Sequence, residues 1–247
     1  MTRKKEFLGA LGCVAVLLGL WELMVRFLRL PPYVLPSPSQ IFLCFGRDLP
    51  LLLYHAEVTL VEVGLGLGIG VLLGIGIAVL AFYVRPVGRA LTPFLVGSQV
   101  IPVFAVAPLF VLWFGFGIWP KVAVAAMIVF FPVAVNFLDG LRALGPELVE
   151  FFQALGTAEP RIFRMVRVPA ALPFLFSGLR VGVTLALVGA TVGEWVGASR
   201  GLGYLMIQAN ARLRLDRVFA AILVLTLLGV GLYWVVGLCE HFLIRRR

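Results

Sequence analysis

The chain has 247 residues, 62% hydrophobic and 13% charged, with a mean hydropathy of +1.06. Soluble domains carry roughly 45–50% apolar and about 25% charged residues, so an aqueous fold of this length is excluded and lipid is the solvent for most of the surface. The formal net charge of +9 comes from arginines gathered at the ends of apolar runs, a membrane-flanking distribution and not a nucleic-acid face.

Crossing a bilayer core of about 30 Å takes about 20 apolar residues. Such segments must be helices, because lipid cannot satisfy backbone hydrogen bonds; the alternating ~10-residue segments of a barrel do not occur in the sequence. The first run, Phe7–Leu28, follows a basic TRKK. It reads as a helix that stays, since no small-residue cleavage site leads into a polar mature domain. LPPYVLPSPSQIF follows, Pro- and Ser-rich and turn-like. The stretch after it, to about Glu57, is expected along the membrane surface. The second span is Val58–Val84. Its Gly66, Gly70 and Gly74 fall on one helix face and permit close backbone approach, either within the subunit or against a second copy.

The third and fourth spans are Leu91–Phe114 and Val122–Leu138. Pro102, Pro108 and Pro132 interrupt their backbone bonding. Between the fourth span and the fifth, Leu172–Trp195, lies EFFQALGTAEPRIFRMVRVPAALP, Glu150–Pro173, polar and basic in a chain that is otherwise apolar. Gly145-Pro146 starts a short helix there, with Pro146 suited to its first position. Glu147 and Glu150 favour its positive end, and Gly156 closes it. Pro160 starts a second short helix that is expected to end before Pro169. Phe151, Phe152 and Leu155 interleave with charge. This suits either docking into a groove on another protein or lying on the membrane surface. GASRGLGYLMIQANARLRLDR then predicts a turn and a short helix, and Val218–Leu243 is the sixth span. Lys and Arg counts favour placing both termini inside, with TRKK and RRR directly at helix ends. The domain reading is 1–56, an N-terminal helix plus external segment, and 57–247, the transmembrane core.

Catalytic chemistry has little to build on. Lys4, Lys5 and Lys121 follow Arg3, Lys4 and Pro120, so none is a phosphate-loop lysine. His55 and His241 fall near opposite membrane faces, and the three cysteines have no metal or disulfide spacing. Transport is therefore the expected role. Polar groups inside spans usually face a cavity, which makes Glu62, Ser98, Gln99, Asn136, Asp139, Thr184, Thr191 and Glu194 pathway candidates. Ser98, Thr184 and Thr191 can equally bond back to their own helices. Pro102, Phe104 and Phe131 are candidates for a kink and for aromatic gates or stacking surfaces. Arg180, inside the fifth span, either reaches inward to the cytoplasm or contacts the polar island.

The island resembles the EAA loop of ABC-importer permeases, E-A-A-x3-G-x9-I-x-L-P. Glu150 stands at the E, Gly156 at the G, Val166 at the I, Val168 at the L and Pro169 at the final P; Phe151 and Phe152 replace the alanines. The stretches LPSPSQIF, IPVFAVAPLFVLWFGFG, FFPVAVNFLDGL and GEWVGASRGLGYLM are similar to the permeases of nitrate, sulfonate, taurine and thiamine-precursor importers. Glu62 departs from the arginine of many relatives. The resemblance implies an all-α, six-helix type I importer fold in a prokaryotic cell membrane. It implies a homodimer with a cytoplasmic ATPase dimer that binds ATP-Mg, and with an external solute-binding protein. The loop at about 140–169 would then couple to the ATPase through Glu150, Phe151, Phe152, Ala154, Gly156, Arg161 and Pro169. FFPVAVNFLDGLRAL and DRVFAAILVLTLLG lean toward a thiamine-pyrimidine precursor or riboflavin as solute, ahead of a sulfonate, taurine or nitrate. A passive channel or ion-coupled carrier is the alternative from another class.

Overall fold

The computed structural model describes residues 2–98 and 102–245, and among them there is no strand. Eleven α-helices follow in order: α1 Thr2–Phe27, α2 Pro38–Arg47, α3 Leu49–Tyr83, α4 Arg85–Ser98, α5 Val103–Phe114, α6 Trp119–Arg142, α7 Pro146–Ala154, α8 Glu159–Ile162, α9 Val168–Gly197, α10 Leu202–Ala211 and α11 Leu215–Arg245. Among the described residues, four helices are long and apolar enough to cross a membrane: Leu49–Tyr83, Trp119–Arg142, Glu159–Gly197 and Leu215–Ile244.

Helix α6 is the axis of the molecule, wedged between α3 and α9, with α11 laid against α9. Small residues set these distances, because helices in lipid associate through close packing and not through a hydrophobic drive. A Cβ at Gly66 would stand 2.5 Å from Ala125 Cβ, one at Gly70 2.7 Å from the Ala126 carbonyl, and one at Gly74 2.8 Å from Val133 Cγ1. The glycine face of α3 is thus consumed by α6 within this chain. On the other side, Gly178 and Gly193 of α9 approach Pro132 and Lys121 of α6 just as closely. Val129, Val133, Phe137 and Leu141 of α6 fill the core between them with Val63, Leu187 and Ala190.

The bundle has two ends. At the upper end α3 and α6 begin and α9 finishes; at the lower end α3 and α6 finish and α7 stands. Ser37 caps α2 in a capping box with Gln40. Glu22 of α1 accepts hydrogen bonds from Ser39 N and Oγ at 3.0 and 2.8 Å, tying α1 to the start of α2.

Three sequence expectations need correction. Residues 49–57, expected in a segment along the membrane surface, are the first turns of α3, and α2 is the separate short helix before it. The third span is not one described helix. Its residues form α4 and α5, and Pro102, extended at φ −64 and ψ 115, stands at the N-terminal boundary of α5. Lacking an N–H, Pro102 cannot donate to a preceding helical turn, and the 12 residues of α5 reach only about 18 Å. Finally, the second helix of the island does not stop before Pro169. It passes through a π-helical turn, Phe163–Arg167, directly into α9. Val168 N donates to Phe163 O across that wider turn, and Pro169 falls in the first turn of α9, where its missing N–H costs little.

Candidate functional site

An apolar cavity of about 340 Å³ opens between α5, α6 and α9. Phe104 from α5 and Phe131 from α6 face it, with Met127 and Pro132 beside them and Val181, Leu185 and Val188 across from α9. No charged or amide side chain lines it among the described residues. Two of the sequence-predicted pathway residues, Phe104 and Phe131, therefore meet at one cavity. Pro102 is exposed immediately before Val103, which also lines it. Asn136 lies one turn beyond Pro132 and donates its Nδ2 to the Pro132 carbonyl at 2.8 Å. Its amide is thereby turned back onto its own helix, where a second donor meets a carbonyl beside the cavity wall. Gln99 lies outside the described residues, as does the side chain of Ser98. Thr184 and Thr191 bond back to the carbonyls of Val181 and Leu187 at 2.8 and 2.7 Å. The aliphatic lining was invisible to a search for polar groups, since a valine facing a cavity reads like one facing lipid.

Glu194 is not on this wall. It is buried at the upper end, accepting from Thr59 Oγ1 at 2.6 Å, Gly203 N at 2.6 Å and Tyr204 N at 3.3 Å. Glu62 is buried beside it, with Oε1 3.6 Å from Lys121 Nζ. Arg180 reaches toward the last turns of α11 and does not contact the polar island. It pairs with Glu240 at 2.5 Å and donates to Tyr233 Oη at 3.0 Å, binding α9 to α11.

At the lower end the polar island is built from the residues upward. Gly145 is extended and Pro146 opens α7. The helix closes in a Schellman motif: Gly156 N donates to Gln153 O at 2.9 Å and Thr157 N to Phe152 O at 3.0 Å, with Gly156 at φ +76. Only Val149 of α7 is buried. Leu148, Phe151 and Leu155 share one side of the segment and are 45%, 57% and 65% exposed. Glu150, Ala154, Gly156 and Arg161 are also exposed, while Phe152 and Pro169 are half-buried. Arg167 anchors the segment, donating to Leu141 O at 3.3 Å and stacking 4.9 Å over the Phe82 ring. Phe163 packs on Phe82 and Tyr83. The π-turn thus holds the ends of α3 and α6, while α7 hangs below them with an apolar face uncovered.

The sequence profile of the binding-protein-dependent transport system inner membrane component family matches residues 70–245. The chain is 42% identical to a probable ABC transporter permease protein of Haemophilus influenzae, over 96% of this chain and 97% of that one. It is 40% identical to the formylaminopyrimidine transport permease protein ThiX of Halalkalibacterium halodurans, over 87% and 86%. It is also 40% identical to the riboflavin transport system permease protein RibX of Chloroflexus aurantiacus, over 96% and 90%. Among solved structures, a chain of the MetNI methionine ABC transporter in an inward-facing conformation superposes with a TM-score of 0.69 at 19% identity, over 80% of this chain and 98% of that one.

Proposed function

The chain belongs to the family of binding-protein-dependent transport system inner membrane components and is the multi-pass permease subunit of an ABC importer; from that premise we propose how it is coupled and what it carries. The permease crosses the membrane six times, through α1, α3, α4 with α5, α6, α8 with α9, and α11, with both termini cytoplasmic. Residues 1–56 form an N-terminal transmembrane helix and an external Pro-rich segment, and residues 57–247 form the transport core. Two copies associate, and the exposed Leu112, Trp113 and Phe116 offer apolar surface for the second copy. A cytoplasmic ATPase dimer binds and hydrolyses ATP-Mg, and an external binding protein delivers the solute.

The observation that carries the coupling role is the uncovered face of Leu148, Phe151 and Leu155 on a helix joined by the short Gly156 turn to the helix that continues into α9. Anchors at i, i+3 and i+7 suit insertion of a short helix into a groove. Glu150, Ala154, Gly156 and Arg161 border that face, Phe152 packs at its edge, and Pro169 marks where the segment enters α9. Movement of the ATPase then pushes α7, and the continuous 39-residue helix Glu159–Gly197 carries the displacement to Val181, Leu185 and Val188 at the cavity.

The cavity favours a neutral, flat heteroaromatic solute of the formylaminopyrimidine or riboflavin kind. Phe104 and Phe131 offer ring faces, and the described lining has no cation for a sulfonate or nitrate. Tagged permease is expected to co-purify with a P-loop ATPase in mild detergent. Phe151→Asp should abolish that association while circular dichroism stays unchanged. Permease that repeatedly emerges alone, or a Phe151→Asp variant that keeps the ATPase, would contradict the coupling role.

A further inference from the structure

At the upper end, four elements converge on buried polar groups that the transport reading does not use. His55, Thr59 and Glu62 come from α3, Lys121 from α6, Glu194 from α9, and the backbone of residues 201–204 from the start of α10. Thr59 is 0% exposed, Glu62 and Glu194 1% each, and His55 and Lys121 7% each.

The hydrogen bonds assign most of the protons. Glu194 accepts from one hydroxyl and two backbone amides at the N-terminus of α10, the acceptor set of an ionised carboxylate. The Thr59 hydroxyl has two acceptors, Glu194 Oε1 at 2.6 Å and the His55 carbonyl at 3.2 Å, of which the carboxylate is the nearer, and its oxygen accepts from Leu202 N at 2.9 Å. His55 Nδ1 accepts from Gly201 N at 3.0 Å, so that nitrogen carries no proton and the ring is neutral. Lys121, paired with Glu62 at 3.6 Å, is the one cation of this cluster among the described residues, so two carboxyls share a single positive charge. Glu62 is the carboxyl with the poorer set of donors. Its Oε1 faces Lys121, its Oε2 has no hydrogen-bond partner, and the carboxyl of Glu194 is its neighbour. An ionised Glu62 would place a second negative charge beside Glu194, away from water, with an oxygen that nothing donates to, and the single Lys121 cation offsets only one of the two charges.

We propose that Glu62 is a proton-binding site, held as the neutral acid, its hydroxyl directed to the Glu194 carboxylate and its carbonyl oxygen to Lys121. The proton turns an orphaned oxygen into a donor and cancels the excess charge. It thereby holds α3 against α9 at the place where Glu194 fastens α10. The charged and titratable groups facing Glu62 are Lys121 from α6 and Glu194 from α9; His55 and Tyr204 stack beyond them.

The test needs neither the solute nor the ATPase, so its failure is separable from failure of the importer reading. Infrared difference spectra of the full chain in lipid nanodiscs, wild type minus Glu62→Gln, should show the carbonyl stretch of a protonated carboxylic acid at neutral pH. Glu62→Gln, an uncharged mimic of the acid, should keep the wild-type melting temperature at neutral pH. Glu194→Gln, which weakens three hydrogen bonds to a charged acceptor, should lower the midpoint by about 5 °C or more. Absence of the acid band, or a Glu62→Gln variant that melts early or fails to fold, would overturn the proposal.

Discussion

Gly156 and Asp48 show how single residues set the two ends of the molecule. Nothing lies within 4 Å of a Cβ built on Gly156, and its φ is +76. Gly156→Ala therefore meets only the left-handed backbone penalty, about 1–2 kcal/mol, and a thermal melt should show a loss of that size with ATPase association retained. Gly156→Arg should fold as well as the alanine variant yet lose the ATPase, because its bulk stands beside the docking face. Asp48, between α2 and α3, is gripped by Arg217 at 2.6 Å and Arg47 at 3.1 Å. Burial pushes its carboxyl up, but the arginine hydrogen bonds outweigh it and hold the group below its ordinary 3.8. That stabilisation is present above the ordinary value and disappears as the pH falls through the lower folded one. The midpoint should therefore drop at acid pH in wild type. Asp48→Asn should already be less stable by about 1–3 kcal/mol at neutral pH and lose less on acidification. The role of Asp48 was illegible in the sequence, because its partners Arg214 and Arg217 lie on the far side of the chain. Glu62 was equally opaque until Lys121 and Glu194 came beside it. Phe104 and Phe131, by contrast, stood out as aromatics next to prolines.

Helix α3 separates packing from lipid contact within one turn. A Cβ at Gly68 meets nothing, whereas one at Gly70 meets the Ala126 carbonyl at 2.7 Å and Val129 Cβ at 2.8 Å. Gly68→Ala should be neutral or stabilising by up to about 1 kcal/mol through helix propensity. Gly70→Ala should cost about 1–3 kcal/mol by forcing α3 off α6, and melts of the two variants in one detergent would check the contrast. The spacing of Gly66, Gly70 and Gly74 was legible, but not which helix they met, because periodicity names a face and not its neighbour. The break at Pro102 was legible as a proline inside an apolar run, but not that the run would form two shorter helices, α4 and α5. Pro169 read as a stop for a different reason. A proline is tolerated in the first turn of a helix, and only the π-turn before it shows that α8 and α9 continue one another.

For the whole molecule, the all-helical class and the polar island were legible because lipid forces long apolar helices and makes any long polar interruption conspicuous, while the family fold was read through the resemblance to permease motifs. What composition left open was the island's purpose, since a surface-lying loop and a docking segment share the same residues. The structure attaches the segment through Arg167 and Phe163 to the ends of α3 and α6 and leaves Leu148, Phe151 and Leu155 uncovered. The account stands or falls on that segment being gripped by a motor from the cytoplasm. Gln153→Cys, in a chain whose free Cys13, Cys44 and Cys239 are replaced by serine, places a single thiol beside the docking face. Thiol cross-linking in membrane vesicles should join it to a P-loop ATPase, and a membrane-impermeant maleimide should fail to reach it from the outside of spheroplasts. Labelling from outside, with no ATPase adduct, would contradict the account.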